Sequence, residues 1–205
     1  MLAISASPVS ESSTDSILQH LADAVRQKLG EQVAVETSFV KLNDLTFIPC
    51  QACGESPEPK WCLYDDDLTP VYEELVSCDC LLFGTPVYFD SVSAQGKAFI
   101  DRCNCIRPPD YNGTDPDHAF IKRLHRKRPG AMVIVGGEDG WLEGARRTTA
   151  GLFKWVEVVN HGMIAYRTAD DNTKGVAADD PSVMKDIEQM AVKLAEAIRE
   201  DHDLR

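Results

Sequence analysis

Nowhere in the chain does an apolar run approach the ~18 residues of a membrane span. The opening MLAISASPVSESS also lacks the basic start, apolar stretch and small-residue cleavage site of a secretory leader, so the expected compartment is the cytoplasm. Positive charge is scarce: 33 acidic against 21 basic residues leave a formal net charge of −12. The average field repels phosphate, so neither nucleic acid nor an anionic membrane is an expected partner. Missing too are the GxGxxG and GxxxxGK[ST] glycine patterns, which counts against the usual dinucleotide fold and against an ATP or GTP hydrolase. Seven cysteines, an odd number without an export signal, argue against a disulfide framework and for reduced thiols or metal ligands. Asn112-Gly113-Thr114 is then an idle sequon. What remains is a 205-residue chain, 43% apolar and 26% charged, the composition of one soluble domain with a core that needs no staples. Its one basic run, KRLHRKR from Lys122 to Arg128, reads as a solvated face before a strand.

Short β-branched or apolar runs alternate with longer amphipathic segments, the pattern of a parallel sheet flanked by helices. MLAIS is a first strand, followed by a helix from about Ser12 to Lys28 and a second strand over Val33 to Phe39. Residues 41–65 hold too much Pro, Gly and Cys to be regular and form a loop insertion. Thr69-Pro70 opens a second helix with a capping hydroxyl, with Asp65, Asp66 and Asp67 at its positive end. CDCLLFGTPVY is a third, fully buried strand, and a helix runs from Ser91 to Cys103. GAMVIVGG is a fourth strand, Leu142 to Val159 a helix, GMIAYRT a fifth strand, and Pro181 to Glu200 a closing helix capped by Asp180. This order predicts a single α/β domain over residues 1–205, a three-layer, doubly wound, five-stranded parallel sheet of flavodoxin-like order 2-1-3-4-5. In that arrangement a ligand crevice lies where the first and third strands end.

The loops at those ends are unusual. Ser5 to Thr14 offers five serines and a threonine with no Lys or Arg, directly before a helix N-terminus. Free N–H groups and the helix dipole there suit a phosphomonoester, while a plain capping role for Ser12 or Ser13 is the alternative. Gly136 and Gly137 end the fourth strand, where small residues permit close backbone approach to a ligand or simply a turn. The stretch IPCQACGESPEPKWCLY, Ile48 to Tyr64, holds a CxxC pair at Cys50 and Cys53 and a further Cys62. The histidines, His20, His118, His125, His161 and His202, are dispersed and read as surface or satisfied-core residues.

GTPVYFDSVSAQGKAFIDR, Gly84 to Arg102, closely resembles the segment that wraps the flavin ring in the NADPH-dependent FMN reductase and iron–sulfur flavoprotein families. Pro86, Val87, Tyr88 and Phe89 occupy the ring-contacting positions of those families. The frame of their first loop is kept in Ala6-Ser7-Pro8-Val9 and the following Ser12, Ser13 and Thr14, with Ala6 for a usual Gly and Val9 for a usual Arg. Similarity continues through Cys62 to Leu75 and Val133 to Met163, so it spans Ser5 to about Tyr166. The resemblance implies FMN held by Ser7, Ser12, Ser13, Thr14, Pro86, Val87, Tyr88, Phe89, Gly136 and Gly137. It implies hydride uptake from NADPH or NADH and reduction of a quinone, a free flavin or another small acceptor. The alternative is an electron-transfer iron–sulfur flavoprotein without a small-molecule substrate of its own. The redox chemistry belongs to the cofactor, so no catalytic side chain is assigned. A homodimer or homotetramer is expected, because a neighbouring subunit often completes the flavin site in these families.

In the iron–sulfur flavoproteins the loop carries four cysteines that bind a [4Fe–4S] cluster. Cys50, Cys53 and Cys62 match the first, second and fourth positions, and Ser56 stands at the third. A serine alkoxide is a poor replacement for thiolate, so a stable four-iron cluster is not expected and no metal ligand is assigned. A three-iron cluster, zinc or a Cys50/Cys53 disulfide stay open. Cys78, Cys80, Cys103 and Cys105 could in principle supply a fourth thiolate, but they lie at a buried strand and the end of a helix and are expected to be buried as small apolar residues.

Overall fold

The computed structural model describes residues 1–30, 33–113, 117, 119–137, 140–168 and 175–203, and leaves out the side chains of residues 176, 202 and 203. Thr114, His118 and the His202 side chain lie outside the described residues.

Five parallel strands form the sheet: β1 (Leu2–Ser5), β2 (Ser38–Lys41), β3 (Leu81–Tyr88), β5 (Arg128–Gly137) and β6 (Val158–Thr168). They are ordered β2-β1-β3-β5-β6, which is the expected 2-1-3-4-5 winding. A sixth strand, β4 (Ser91–Val92), pairs antiparallel with the end of β3, so the count of five and the helix start at Ser91 are both corrected. The helices are α1 (Ser13–Leu29), α2 (Leu68–Ser77), α3 (Ala94–Arg102), α4 (Glu143–Trp155) and α5 (Pro181–Asp203). The period-two alternation of β1, β3 and β5 divides the core. Leu2, Ile4, Leu81, Phe83, Met132 and Ile134 face α2, α3 and α4. Ala3, Leu82, Ala131, Val133 and Val135 face α1 and α5. Strands covered on both faces read as unbroken apolar runs.

Other boundaries move for physical reasons. β2 begins at Ser38 and not at Val33, because this edge strand pairs only with β1, whose first partner Leu2 sits opposite Ser38. α4 stops at Trp155, because Glu157 adopts φ 58° and turns the chain into β6 four residues before the expected Gly162. β6 accommodates the early start with an irregularity opposite Gly130 and Met132, where His161 and Gly162 fall between paired residues. Thr69 does not cap α2. It lies inside the helix and donates to Asp65 Oδ1 at 3.0 Å, while Asp66 Oδ1 accepts from the Leu68 N–H at 3.2 Å. Asp180 does cap α5, accepting from the Ser182 hydroxyl at 2.7 Å and from Ser182 N at 2.8 Å, and these bonds hold its carboxyl below the usual range.

The basic run is a solvated face only in part: Lys122, His125 and Lys127 are exposed, but its three arginines are engaged. Arg128 is 2% exposed and donates to the Leu75 carbonyl, and Arg126 reaches Asp79 and Asp201. Arg123 stacks on Trp61 at 4.3 Å from the ring centroid. Each guanidinium ties a different segment to the start of β5.

Candidate cofactor site and the cysteine loop

The chain leaves β1 at Ser5 and enters α1 through Ser12, whose Oγ accepts from Asp15 N at 3.2 Å while Asp15 Oδ2 accepts from Ser12 N at 3.1 Å. This reciprocal capping box accounts for Ser12 as a cap. Ser13 and Thr14 form the first helical turn, where backbone N–H groups have no intrahelical acceptor. No hydrogen bond from either hydroxyl occurs among the described residues. Ser7 folds its hydroxyl back onto the loop and accepts from Val9 N at 3.2 Å.

The loop's own sequence contains no cation, but Lys41, at the end of β2, supplies one. Its Nζ donates to Asp15 Oδ2 at 2.6 Å and to the Val9 carbonyl at 2.8 Å. Asp15 also accepts from the Ser5 hydroxyl, so its charge is turned inward and matched. Lys41 was not foreseen as a site residue. Its place at the carboxyl end of the strand beside β1 was the available signal.

The second loop is a hairpin. Val87 pairs with Val92 and Tyr88 with Ser91, leaving Phe89 and Asp90 as a two-residue turn with φ 52° and 55°. Positive φ at both central positions is the primed hairpin geometry, here without the usual Asn-Gly. The turn holds Phe89 fully exposed at its tip and Tyr88 half out of the protein. Asp90 Oδ1 accepts from the Gly144 N–H at 3.0 Å, docking the tip on the first turn of α4. A Cβ at Gly144 would lie 1.8 Å from the Asp90 carbonyl oxygen, so only glycine allows that approach.

Ser93, the cap of α3, joins the first two loops: its Oγ donates to Ala6 O at 2.5 Å and accepts from Gly96 N at 3.1 Å. Gly136 lies beside Val87, with a hypothetical Cβ 3.9 Å away, so the end of β5 flanks the hairpin. Trp141 stands exposed just beyond it. Ser7, Ser12, Ser13, Thr14, Pro86, Val87, Tyr88, Phe89, Gly136 and Gly137 thus gather at the carboxyl ends of three adjacent strands, β1, β3 and β5. Residues 138 and 139 of the third loop lie outside the described ones.

The cysteine loop sits elsewhere, against the C-terminal end of α3. Arg102 holds it there, donating to the Ile48 carbonyl and to Asp66 Oδ2, each at 2.7 Å. Ser56 is fully engaged: its one hydroxyl proton is shared between the carbonyls of Trp61 at 2.6 Å and Cys105 at 2.8 Å, and its oxygen accepts from Arg123. Cys80, Cys103 and Cys105 are buried, as expected, and Cys78 partly so. Burial pushes the Cys80 thiol up to about 12, and burial with the nearby Cys62 does the same for Cys105. Cys105 is more than core filler, however. Together with Cys50, Cys53 and Cys62 it borders a cavity of about 320 Å³. Among the described residues no three Cys, His, Asp or Glu side chains stand close enough to hold a single metal ion. No helix is long and apolar enough to cross a membrane among them.

A curated iron–sulfur flavoprotein of Methanosarcina thermophila is 26% identical over 177 residues, covering 83% of each chain. An iron–sulfur flavoprotein of Methanocaldococcus jannaschii is 31% identical over 143 residues, 70% of this chain and 65% of its own. Among solved structures, RosB with a bound 8-demethyl-8-formylriboflavin-5'-phosphate intermediate superposes with a TM-score of 0.72 at 12% identity, covering 98% of this chain and 79% of RosB, a likeness of fold. The sequence profile of the NADPH-dependent FMN reductases matches residues 1–169, most of the chain. With the doubly wound sheet and the three loops converging at its carboxyl edge, that match makes the chain a member of the NADPH-dependent FMN reductase family.

Proposed function

We propose that the protein is an FMN-dependent oxidoreductase that takes hydride from NADPH or NADH and passes electrons to a small acceptor such as a quinone or a free flavin. The observation that carries this reading is the meeting of the three loops, locked by Ser93 to Ala6 and by Asp90 to Gly144. The residues fit FMN. The unpaired N–H groups and hydroxyls of Ser13 and Thr14, with Ser7 and Ser12 beside them, suit a phosphate at a helix N-terminus. The inward-facing, Lys41-matched Asp15 leaves that end free of an opposing charge. Phe89 and Tyr88, apolar surface held out in water, suit a planar ring. Gly136 and Gly137 offer backbone without bulk along its edge, beside Pro86 and Val87. When bound, FMN supplies the hydride and electron chemistry, and the protein binds, orients and shields it. A homodimer or homotetramer would cover the exposed aromatic rim.

The thiol-bordered cavity favours a second reading, an electron-transfer flavoprotein whose partner is another redox centre. The visible spectrum of the purified protein tests both readings, which require flavin bands that survive gel filtration after FMN is added. A colourless protein that takes up no FMN would sink both. NADPH oxidation that accelerates with benzoquinone or free FMN favours the first reading. Flavin that is reduced by NADPH yet reoxidised by neither acceptor favours the second.

A further inference from the structure

Four of the seven thiols, Cys50, Cys53, Cys62 and Cys105, face one cavity, three from the loop and one from the turn after α3. Ser56 does not border it, and its hydroxyl shares its proton between two backbone carbonyls and accepts from Arg123. Ser56 has therefore changed role, from a ligand position to a clasp that holds the loop against the backbone of Cys105. A second observation points to an occupant: Arg102 borders the same cavity, is 1% exposed, and its Nε has no acceptor. A buried donor left unpaired is costly unless something accepts from it.

A zinc ion would need its sulfur ligands all ~2.3 Å from one point. The described thiols are not gathered that closely. A cluster differs, because each thiolate binds its own iron around a larger inorganic core, so sulfurs spaced about a cavity suit it. We propose that Cys105 supplies the fourth thiolate in place of Ser56, so that Cys50, Cys53, Cys62 and Cys105 hold a [4Fe–4S] cluster in this cavity, with the Arg102 Nε–H donating to its sulfur. Ligation exchanges four S–H bonds for S–Fe bonds and releases four protons, with no change of oxidation state at cysteine; the core comes as a preformed cluster, or from two ferrous ions, two ferric ions and four sulfides, which together make the [4Fe–4S]2+ level without an external oxidant. Arg102 then serves as counter-charge to an anionic core, a use that Asp66 alone does not explain.

The test is anaerobic reconstitution of the full chain with equal amounts of ferrous and ferric iron and with sulfide, followed by gel filtration and measurement of bound iron, acid-labile sulfide and flavin. Wild type should carry about four iron and four sulfide per chain. Cys105→Ser, which preserves side-chain volume, should lose most of that iron while keeping wild-type flavin uptake. Cys103→Ala, a buried thiol that does not border the cavity, and Ser56→Ala should both keep it. Cys105→Ser at wild-type iron content, or wild type holding no more iron than a Cys50→Ala/Cys53→Ala control, would overturn the proposal, as would zinc as the sole retained metal. Should Cys105→Ser fail to fold, loss of iron from Cys62→Ser with retention in Ser56→Ala and Cys103→Ala supports the cavity, and retention in Cys62→Ser overturns it. Failure to bind FMN with iron intact would defeat the flavin reading and leave this one standing.

Discussion

The Ser93 hydroxyl donates a 2.5 Å hydrogen bond to the carbonyl of Ala6, across 87 positions of sequence. The same oxygen caps α3 through Gly96 N, so one buried side chain sets the spacing between the first loop and the second. Ser93→Ala leaves a buried carbonyl unpaired and a helix uncapped, and should cost about 2 kcal/mol. Urea denaturation reads that loss. FMN titration should show weaker binding in the same variant, because the two loops are no longer held in register.

Lys41 and Asp15 form a nearly buried pair, at 11% and 7% side-chain exposure. Lys41→Met strands the carboxylate beneath the first loop and should destabilise the fold by about 3 kcal/mol. Adding Asp15→Asn should restore part of that loss, and a double-mutant cycle measures the coupling. If the single and double variants are equally destabilised, the pair is not the element that supports the loop.

Phe89 makes the opposite kind of contribution. Fully exposed at the hairpin tip, it should be replaceable by Ala within about 0.5 kcal/mol of stability. FMN affinity should nonetheless fall by about threefold to tenfold, the worth of an aromatic stack. Equal affinity in Phe89→Ala and wild type would show that the ring lies elsewhere.

Gly144→Ala should disturb the same tip from beneath, since the new methyl would overlap the Asp90 carbonyl oxygen, 1.8 Å away. We expect a loss of about 1–3 kcal/mol by overpacking, together with weaker flavin retention. Gly151, whose Cβ would meet nothing within 4 Å, is the control position on the same helix.

The buried thiols give the metal-free protein an alkaline weakness. An unfolded cysteine titrates near ~8.5, whereas burial, with Cys78 nearby, pushes Cys80 up to about 12. As pH rises past the unfolded value, the unfolded chain loses its proton first, so the folded state loses ground until its own thiol titrates. Stability is therefore full at pH 7 and declines from about pH 8.5 up to the folded value of about 12. Cys80→Ala should show a shallower fall in urea midpoint over that range.

The sheet order and the two core faces were legible because β1, β3 and β5 carry apolar side chains in both alternating sets. The end of α4 was not. Trp155-Val156-Glu157-Val158-Val159 continues a plausible apolar pattern, and the break comes from Glu157, whose carboxylate is claimed by Arg107 and Lys122 from a distant segment. β4 escaped notice because it is two residues long and its turn, Phe89-Asp90, lacks the glycine that usually marks a hairpin. The first loop was recognisable as a phosphate-type turn, but Lys41 reaches it from 26 positions beyond Asp15, a distance no local pattern encodes. Cys105 was legible as a buried residue and not as a neighbour of Cys50, because the link runs through the backbone bond from Ser56, 49 positions away.

The placement of the three tryptophans also equips the molecule with a built-in optical gauge. Trp61 lies beneath the Arg123 guanidinium, and Trp155 packs edge-on to Phe120 with its indole N–H on the Cys103 carbonyl, so both emit from fixed, partly shielded surroundings. Trp141 alone of the three is largely in water, and it stands at the rim of the loop cluster. Its red-shifted, iodide-quenchable fluorescence reports on that rim without a label, separately from whatever happens beside the cysteines.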